Sequence, residues 1–104
     1  MIQSDWKLVN VKLQKTLEDW EKMQRTTGDE GAEWAERFER HFYEMIEAVK
    51  DWYEHLNDQP DSYEQFESMS EIEEIQNQLP GPLLINFLTE LEDIYDGIKK
   101  KSYD

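Results

Sequence analysis

The sequence contains no cysteine. This removes disulfides, a thiolate nucleophile and any cysteine-based zinc or iron–sulfur centre. Proline and glycine are scarce, three and four in 104 residues, so long uninterrupted helices are permitted. The densest apolar stretch, Leu83 to Leu88, is far too short to span a bilayer. Met1 to Asp5 lack the charged and apolar regions of a signal peptide, and the expectation is a soluble, cytoplasmic protein.

Cations are the scarcest resource. Lys and Arg number 11 against 25 Asp and Glu, giving a net charge of −14, and not one Lys or Arg lies between Asp51 and Ile98. Residues 1–27 carry +1, 28–60 carry −7, 61–97 carry −10 and 98–104 carry +2. Phosphate binding draws its affinity from Lys and Arg, so nucleic acid is excluded as a direct ligand, and an anionic membrane is disfavoured for the same reason. The acidity of the second half cannot be paired where it sits. It must be offset by the first helix (Lys7, Lys12, Lys15, Lys22, Arg25), by Lys99 to Lys101, by counterions or by a basic partner.

Leu, Ile, Val and Phe make up 23 of the 104 residues, little above the ~20 % at which strongly charged chains stay disordered. Four Trp and five Tyr decide for folding, since each can bury ~150–250 Å². Length allows one domain over residues 1–104 and makes two independent cores unexpected.

The spacing of apolar residues predicts helices. From Asp5 to about Arg25, with Ser4 as N-cap, Trp6, Val9, Leu13, Leu17 and Trp20 share one face. Val9 to Leu13 also alternates as a strand would, so residues 7–13 keep that alternative open. Thr26 to Gly31 reads as a turn. From Ala32 to Leu56 the residues Trp34, Ala35, Phe38, Phe42, Met45, Ile46, Val49, Trp52, Tyr53 and Leu56 recur at three and four. Pro60 and its polar neighbours stop this helix.

A third stretch, capped by Asp61 or Ser62, carries Tyr63, Phe66, Met69, Ile72, Ile75 and Leu79, but its stripe changes phase near Ser68 to Ser70. Ser70 with Glu73 fits a capping box there, which predicts two short helices or one kinked one. Pro82 suits the first turn of a last helix with Gly97 near its end and Leu84, Phe87, Leu88, Leu91, Ile94, Tyr95 and Ile98 on its stripe. This most apolar helix is expected at the centre. The reading is all-α, an antiparallel bundle of about four helices whose third is short or broken.

Chemistry finds little footing. His41 and His55 are the only histidines, with Glu44 and Asp51 in reach as weak metal partners. A carboxylate-bridged di-metal bundle needs Glu three residues before each His, yet Phe38 and Trp52 stand there. Gly28 to Gly31 encloses acids with no Lys after it, so it is no phosphate cradle, and Pro60 spoils a calcium loop over 57–68. Neither catalytic residues, cofactor nor metal is assigned, and the chain is not read as an enzyme.

Apolar residues lie off the stripes, among them Leu8, Val11, Tyr43 and Ile85. A group of such residues marks a partner surface, and a second apolar face made by Leu8 and Val11 suits a homodimer. The functional expectation is therefore a regulatory or interaction module that binds another protein, or itself, through Leu8 and Val11. The alternative is an acidic inhibitor, a nucleic-acid mimic or immunity-type protein. It would present Glu64, Glu67, Glu71, Glu73 and Glu74 to the basic site of a nucleic-acid-binding protein.

Overall fold

The computed structural model describes residues 2–103, and side chains over 6–97. The described residues are all-α: α1 (Ile2–Arg25), α2 (Gly28–Glu54), α3 (Tyr63–Glu67), α4 (Ser70–Gln78) and α5 (Gly81–Tyr103), with no strand among them. Residues 7–13 are helical, which closes the strand alternative. Packing gathers in two compact units, Met1–His55 and Leu56–Asp104.

The first unit is a helical hairpin. Trp6 meets Trp52 with ring centroids 4.9 Å apart, Lys12 meets Glu44, Asp19 meets His41, and Trp20 meets Phe38 at 5.5 Å. Contact positions rise along α1 as they fall along α2, so the two helices run antiparallel. Val9 and Leu13 are buried on α1, and Phe42, Met45, Ile46, Ala48, Val49, Trp52 and Tyr53 on α2. Trp6, Leu17, Trp20, Trp34 and Phe38 belong to the predicted stripes but are only half-buried.

Two helix starts differ from expectation. α1 begins at Ile2, so Ser4 lies inside it and is not its N-cap. α2 begins at Gly28 rather than Ala32, leaving only Thr26 and Thr27 as connector. Asp29 and Glu30 then occupy its first turn, where the positive end of the helix dipole favours them. Gly28 takes φ +65°, a backbone conformation that disfavours L side chains. A Cβ on Gly31 would sit 3.3 Å from the Thr26 carbonyl oxygen. The glycines thus permit a tight connection rather than a longer turn. α2 ends at Glu54, ahead of Pro60, with the His55 N–H donating to the Asp51 and Trp52 carbonyls.

In the second unit the predicted break is present. Ser62 caps α3, its hydroxyl accepting from the Gln65 N–H at 3.2 Å, and α3 ends at Glu67. The capping box at Ser70 is not formed. Met69 is the extended N-cap residue, which leaves Ser70 inside the first turn with its hydroxyl donating to Glu71. The Gln76 amide donates to the Glu67 carbonyl at 3.0 Å and so ties α4 back to α3. Pro82 sits in the first turn of α5, where its missing N–H costs nothing, and Leu83 and Leu84 donate to the Pro80 carbonyl. Phe66, Ile72, Ile75 and Leu79 are buried, as are Leu83, Phe87, Leu91 and Ile94 on α5.

Tyr63 and Tyr95 join α3 to α5. Their rings meet edge-on at 6.1 Å, Tyr63 Oη donates to the Leu88 carbonyl at 3.3 Å, and Tyr95 Oη donates to the Asp61 carbonyl. Burial, followed by the negative charges of Glu67 and Glu92, pushes the Tyr63 phenol up to about 12. Ionising it would place a third negative charge beside those two acids. A raised folded-state value means that the stability tied to the protonated phenol is complete below the unfolded value near ~10. It is lost as pH rises through about 12. Phenolate absorbance should show one of the five tyrosines titrating late. Tyr63→Phe should remove that late step and flatten the alkaline loss of stability, and a profile unchanged by the substitution would refute this.

Candidate functional site

Leu8 and Val11 each keep 48 % of their surface in water, Tyr43 47 % and Ile85 70 %, all of them among the residues that fell off the predicted stripes. On α1 the core is made by positions 9, 13 and 16, which leaves positions 8 and 11 on another face. On α2, Tyr43 follows buried Phe42, against which its ring packs edge-on at 5.4 Å. The hairpin brings Leu8 and Tyr43 to one open groove of about 470 Å³, lined also by Lys12, Arg40, Glu44, Glu47, Ala48 and Asp51. Val11 lies three residues from Leu8 and is not among the lining residues, and Ile85 belongs to the other unit.

Lys12 and Glu44 cross the groove, with Lys12 Nζ donating to Glu44 Oε1 at 3.0 Å. This hydrogen bond holds the Glu44 carboxyl below its usual range. The charges of Lys12, His41 and Arg40 assist, against a desolvation cost that works the other way. The bridge therefore fixes a charged, oriented pair beside an apolar surface made by Leu8, Tyr43 and Ala48. Solvent-screened pairs of this kind contribute little to stability. Their value here lies in shaping the groove.

His41 does not turn to Glu44 for its hydrogen bond. Its Nδ1 donates across the hairpin to Asp19 Oδ2, and the two side chains are 19 % and 8 % exposed. His55 Nδ1 donates to the Asp51 backbone carbonyl at 2.7 Å. The histidines stand fourteen positions apart on α2, ~21 Å along its axis at ~1.5 Å per residue, too far to share a ligand. No three His, Asp or Glu side chains among the described residues lie close enough together to hold a metal ion.

A second hollow of about 680 Å³ lies where α2 begins, lined by Asp29, Glu30, Glu33, Trp34 and Arg37. The Trp34 ring is covered by Arg37 at 4.8 Å and Lys22 at 5.9 Å. These cation–π contacts, worth ~0.5–1 kcal/mol each at exposed sites, hold the indole within the hairpin. The five candidate acids all lie on α3 and α4. Glu64, Glu73 and Glu74 are exposed and Glu67 and Glu71 half-buried, with no ion pair to any of them among the described residues.

The sequence reading missed the cross-helix partners Asp19 and Lys12, and the buried Thr16, whose hydroxyl donates to the Lys12 carbonyl of its own helix at 2.8 Å. Periodicity along one helix shows a face but not what another helix brings to it. Asp19 stands three residues after Thr16, which in turn stands three after Leu13, so all three share the buried side. A carboxylate on such a face calls for a partner, and that was the available signal. No helix among the described residues is long and apolar enough to cross a membrane. Compared with known protein families, curated proteins and solved structures, the chain matches none.

Removing one member of a buried pair leaves the other charge without compensation. His41→Ala should cost about 1–3 kcal/mol in urea denaturation, because Asp19, 8 % exposed, would lose its hydrogen-bond partner. The double variant Asp19→Leu, His41→Leu should recover most of that loss, since an apolar pair carries no desolvation penalty. A double variant as unstable as His41→Ala would show that packing around the imidazole, rather than its partnership with Asp19, sets the cost.

Proposed function

We propose that this chain is a non-enzymatic interaction or regulatory module that engages another protein, or a second copy of itself, through the α1–α2 face centred on Leu8, with Val11 at its edge. The observation that supports the reading most is that Leu8 and Tyr43 line one groove while both remain about half exposed. Isolated exposed apolar residues are ordinary, but a group of them framed by charges has the composition of a contact surface. The groove holds no arrangement of nucleophile, base and oriented acid. Its ionic groups are a cross-helix bridge, an arginine and two further acids. A cytoplasmic location belongs to the same proposal and agrees with the absence of cysteine. So does the antiparallel bundle read from the stripes, which the antiparallel run of α2 along α1 supports.

A second reading, the acidic inhibitor, is favoured by one observation. Residues 61–97 contain ten acids and no Lys or Arg, and Glu64, Glu73 and Glu74 face solvent. Together with Glu67 and Glu71 they would stand in for phosphates on a basic groove.

Affinity capture from the source lysate tests the principal reading when the wild-type chain is compared with a Leu8→Asp, Val11→Asp variant. A partner of the apolar face should stay bound at high salt and be lost from the variant. Identical capture by both chains would refute the reading. The inhibitor makes the opposite forecast, because opposed exposed charges are screened over ~10 Å at 0.1 M salt. Its complex should weaken steeply with salt and with charge reversal at Glu73 and Glu74, and a flat salt response would end it.

A further inference from the structure

We infer that the connector between α1 and α2 is a hinge through which two copies of this chain exchange α1, giving a helix-swapped dimer. The inference concerns the hairpin alone and stands whether or not the groove binds a partner.

Straightening the connector joins α1 and α2 into one helix, and the residues allow it. No proline precedes Pro60. Thr16, Trp20 and Met23 are buried or half-buried on α1, and so are Trp34, Phe38 and Phe42 on α2. In a straight helix Thr27 and Gly31 bridge the two sets. Steps of three and four residues then run unbroken from Thr16 to Phe42, and one stripe crosses the joint.

The register says where the copies would meet. Trp6 with Trp52, Lys12 with Glu44, Asp19 with His41 and Trp20 with Phe38 are pairs whose midpoints fall at positions 29, 28, 30 and 29. Two straightened helices laid antiparallel about a two-fold axis at Asp29 therefore restore all four pairs, each now between copies, as an isologous contact requires. These contacts are kept on exchange. It is the connector that differs between the two forms.

The connector thus sets the balance. Thr26 and Thr27 alone make the reversal, and Thr27 gives α2 no side-chain cap. So short a hinge invites exchange, because a continuous helix supplies partners for the terminal N–H and C=O groups of both helices. Gly28 opposes it. Its φ of +65° belongs to the turn, and glycine is a poor residue inside a helix, which holds for Gly31 as well. Charge also opposes it, since Asp29 and Glu30 of the two copies would stand level at the axis of a −14 chain. The closed hairpin is therefore the form at low concentration and low salt, and concentration and salt favour exchange. Each exchanged dimer presents the groove twice, with Leu8 and Lys12 from one copy and Tyr43 and Glu44 from the other.

Because the chain has no cysteine, a full-length Lys12→Cys, Glu44→Cys chain can be linked by a short bismaleimide at those two positions alone. The link falls within one chain in the closed hairpin and between chains after exchange, which a denaturing gel separates. At micromolar protein and low salt the links should be intrachain. At millimolar protein in molar salt, doubly linked dimers should appear. Adding Gly28→Ala and Gly31→Ala should lower the dimer dissociation constant about tenfold or more by sedimentation, with helicity kept and the links moved between chains. A glycine variant that is helical yet monomeric, or dimeric with intrachain links, overturns the inference. So does the parent connector if its links stay intrachain at millimolar protein in molar salt, a result that counts whether or not the glycine variant folds.

Discussion

The register between α1 and α2 is the constraint from which the first unit follows. Trp6 against Trp52 and Trp20 against Phe38 fix it with ring contacts, each worth ~0.5–1.5 kcal/mol beyond the area they bury. Between them, Asp19 with His41 and Lys12 with Glu44 satisfy polar groups that no slipped pairing would satisfy. A shift of one helical turn would separate all four pairs at once. Asp19, 8 % exposed, would then keep its desolvation cost and lose its partner, which makes the wrong register expensive rather than merely less favourable. The groove is a by-product of the same register, which sets Leu8 and Tyr43 along one hollow beside the Lys12–Glu44 bridge.

Charge imposes a different constraint on the second unit. With no Lys or Arg in residues 61–97, α3 and α4 can only turn acids outward around buried Phe66, Ile72 and Ile75. Where acids come closer to packed surface the strain is visible. Burial, with Asp93 nearby, raises the Glu90 carboxyl above its usual range, and Tyr63 is held protonated beside Glu67 and Glu92. A carboxyl with a raised value contributes stability that is complete below its unfolded value and is lost as pH rises through the folded one. Glu44 is the contrary case. Its lowered value means that the stability from the Lys12 bridge is present above the unfolded value and fades as pH falls through the folded one. Mild acid therefore favours the second unit at Glu90 while it costs the first at Glu44.

Much of this was legible in the residues, for a definite reason. Helix type follows from one-dimensional spacing, so the long stripe of α2, the break near Ser68 to Ser70 and the exposure of Leu8, Val11, Tyr43 and Ile85 could all be read along the chain. Helix starts were less legible: Ser4 lies within α1, and Ser70 has capping chemistry but the extended backbone that a cap needs falls at Met69. Pairings between helices could not be read in this way. His41 lies three residues before Glu44, and that local neighbour was the obvious partner. Asp19, twenty-two positions away, enters only once the hairpin closes. Leu83 was left off the last stripe although it is buried, since the run Leu83, Leu84, Ile85 satisfies more than one helical phase.

The apolar groove and the cation-free surface belong to different units, and they respond to solution conditions in opposite directions. Salt screens contacts made by Glu64, Glu73 and Glu74, whereas excluded salts such as sulfate strengthen the burial of Leu8 and Tyr43. Self-repulsion between copies of a −14 chain also falls as salt rises. The two kinds of surface can therefore be told apart by the sign of their salt response before any partner is known. The acidity need not be read as the binding surface. On the proposed reading it keeps the remainder of the molecule from associating and leaves contact to the face where Lys12 and Arg40 offset the acids around Leu8 and Tyr43.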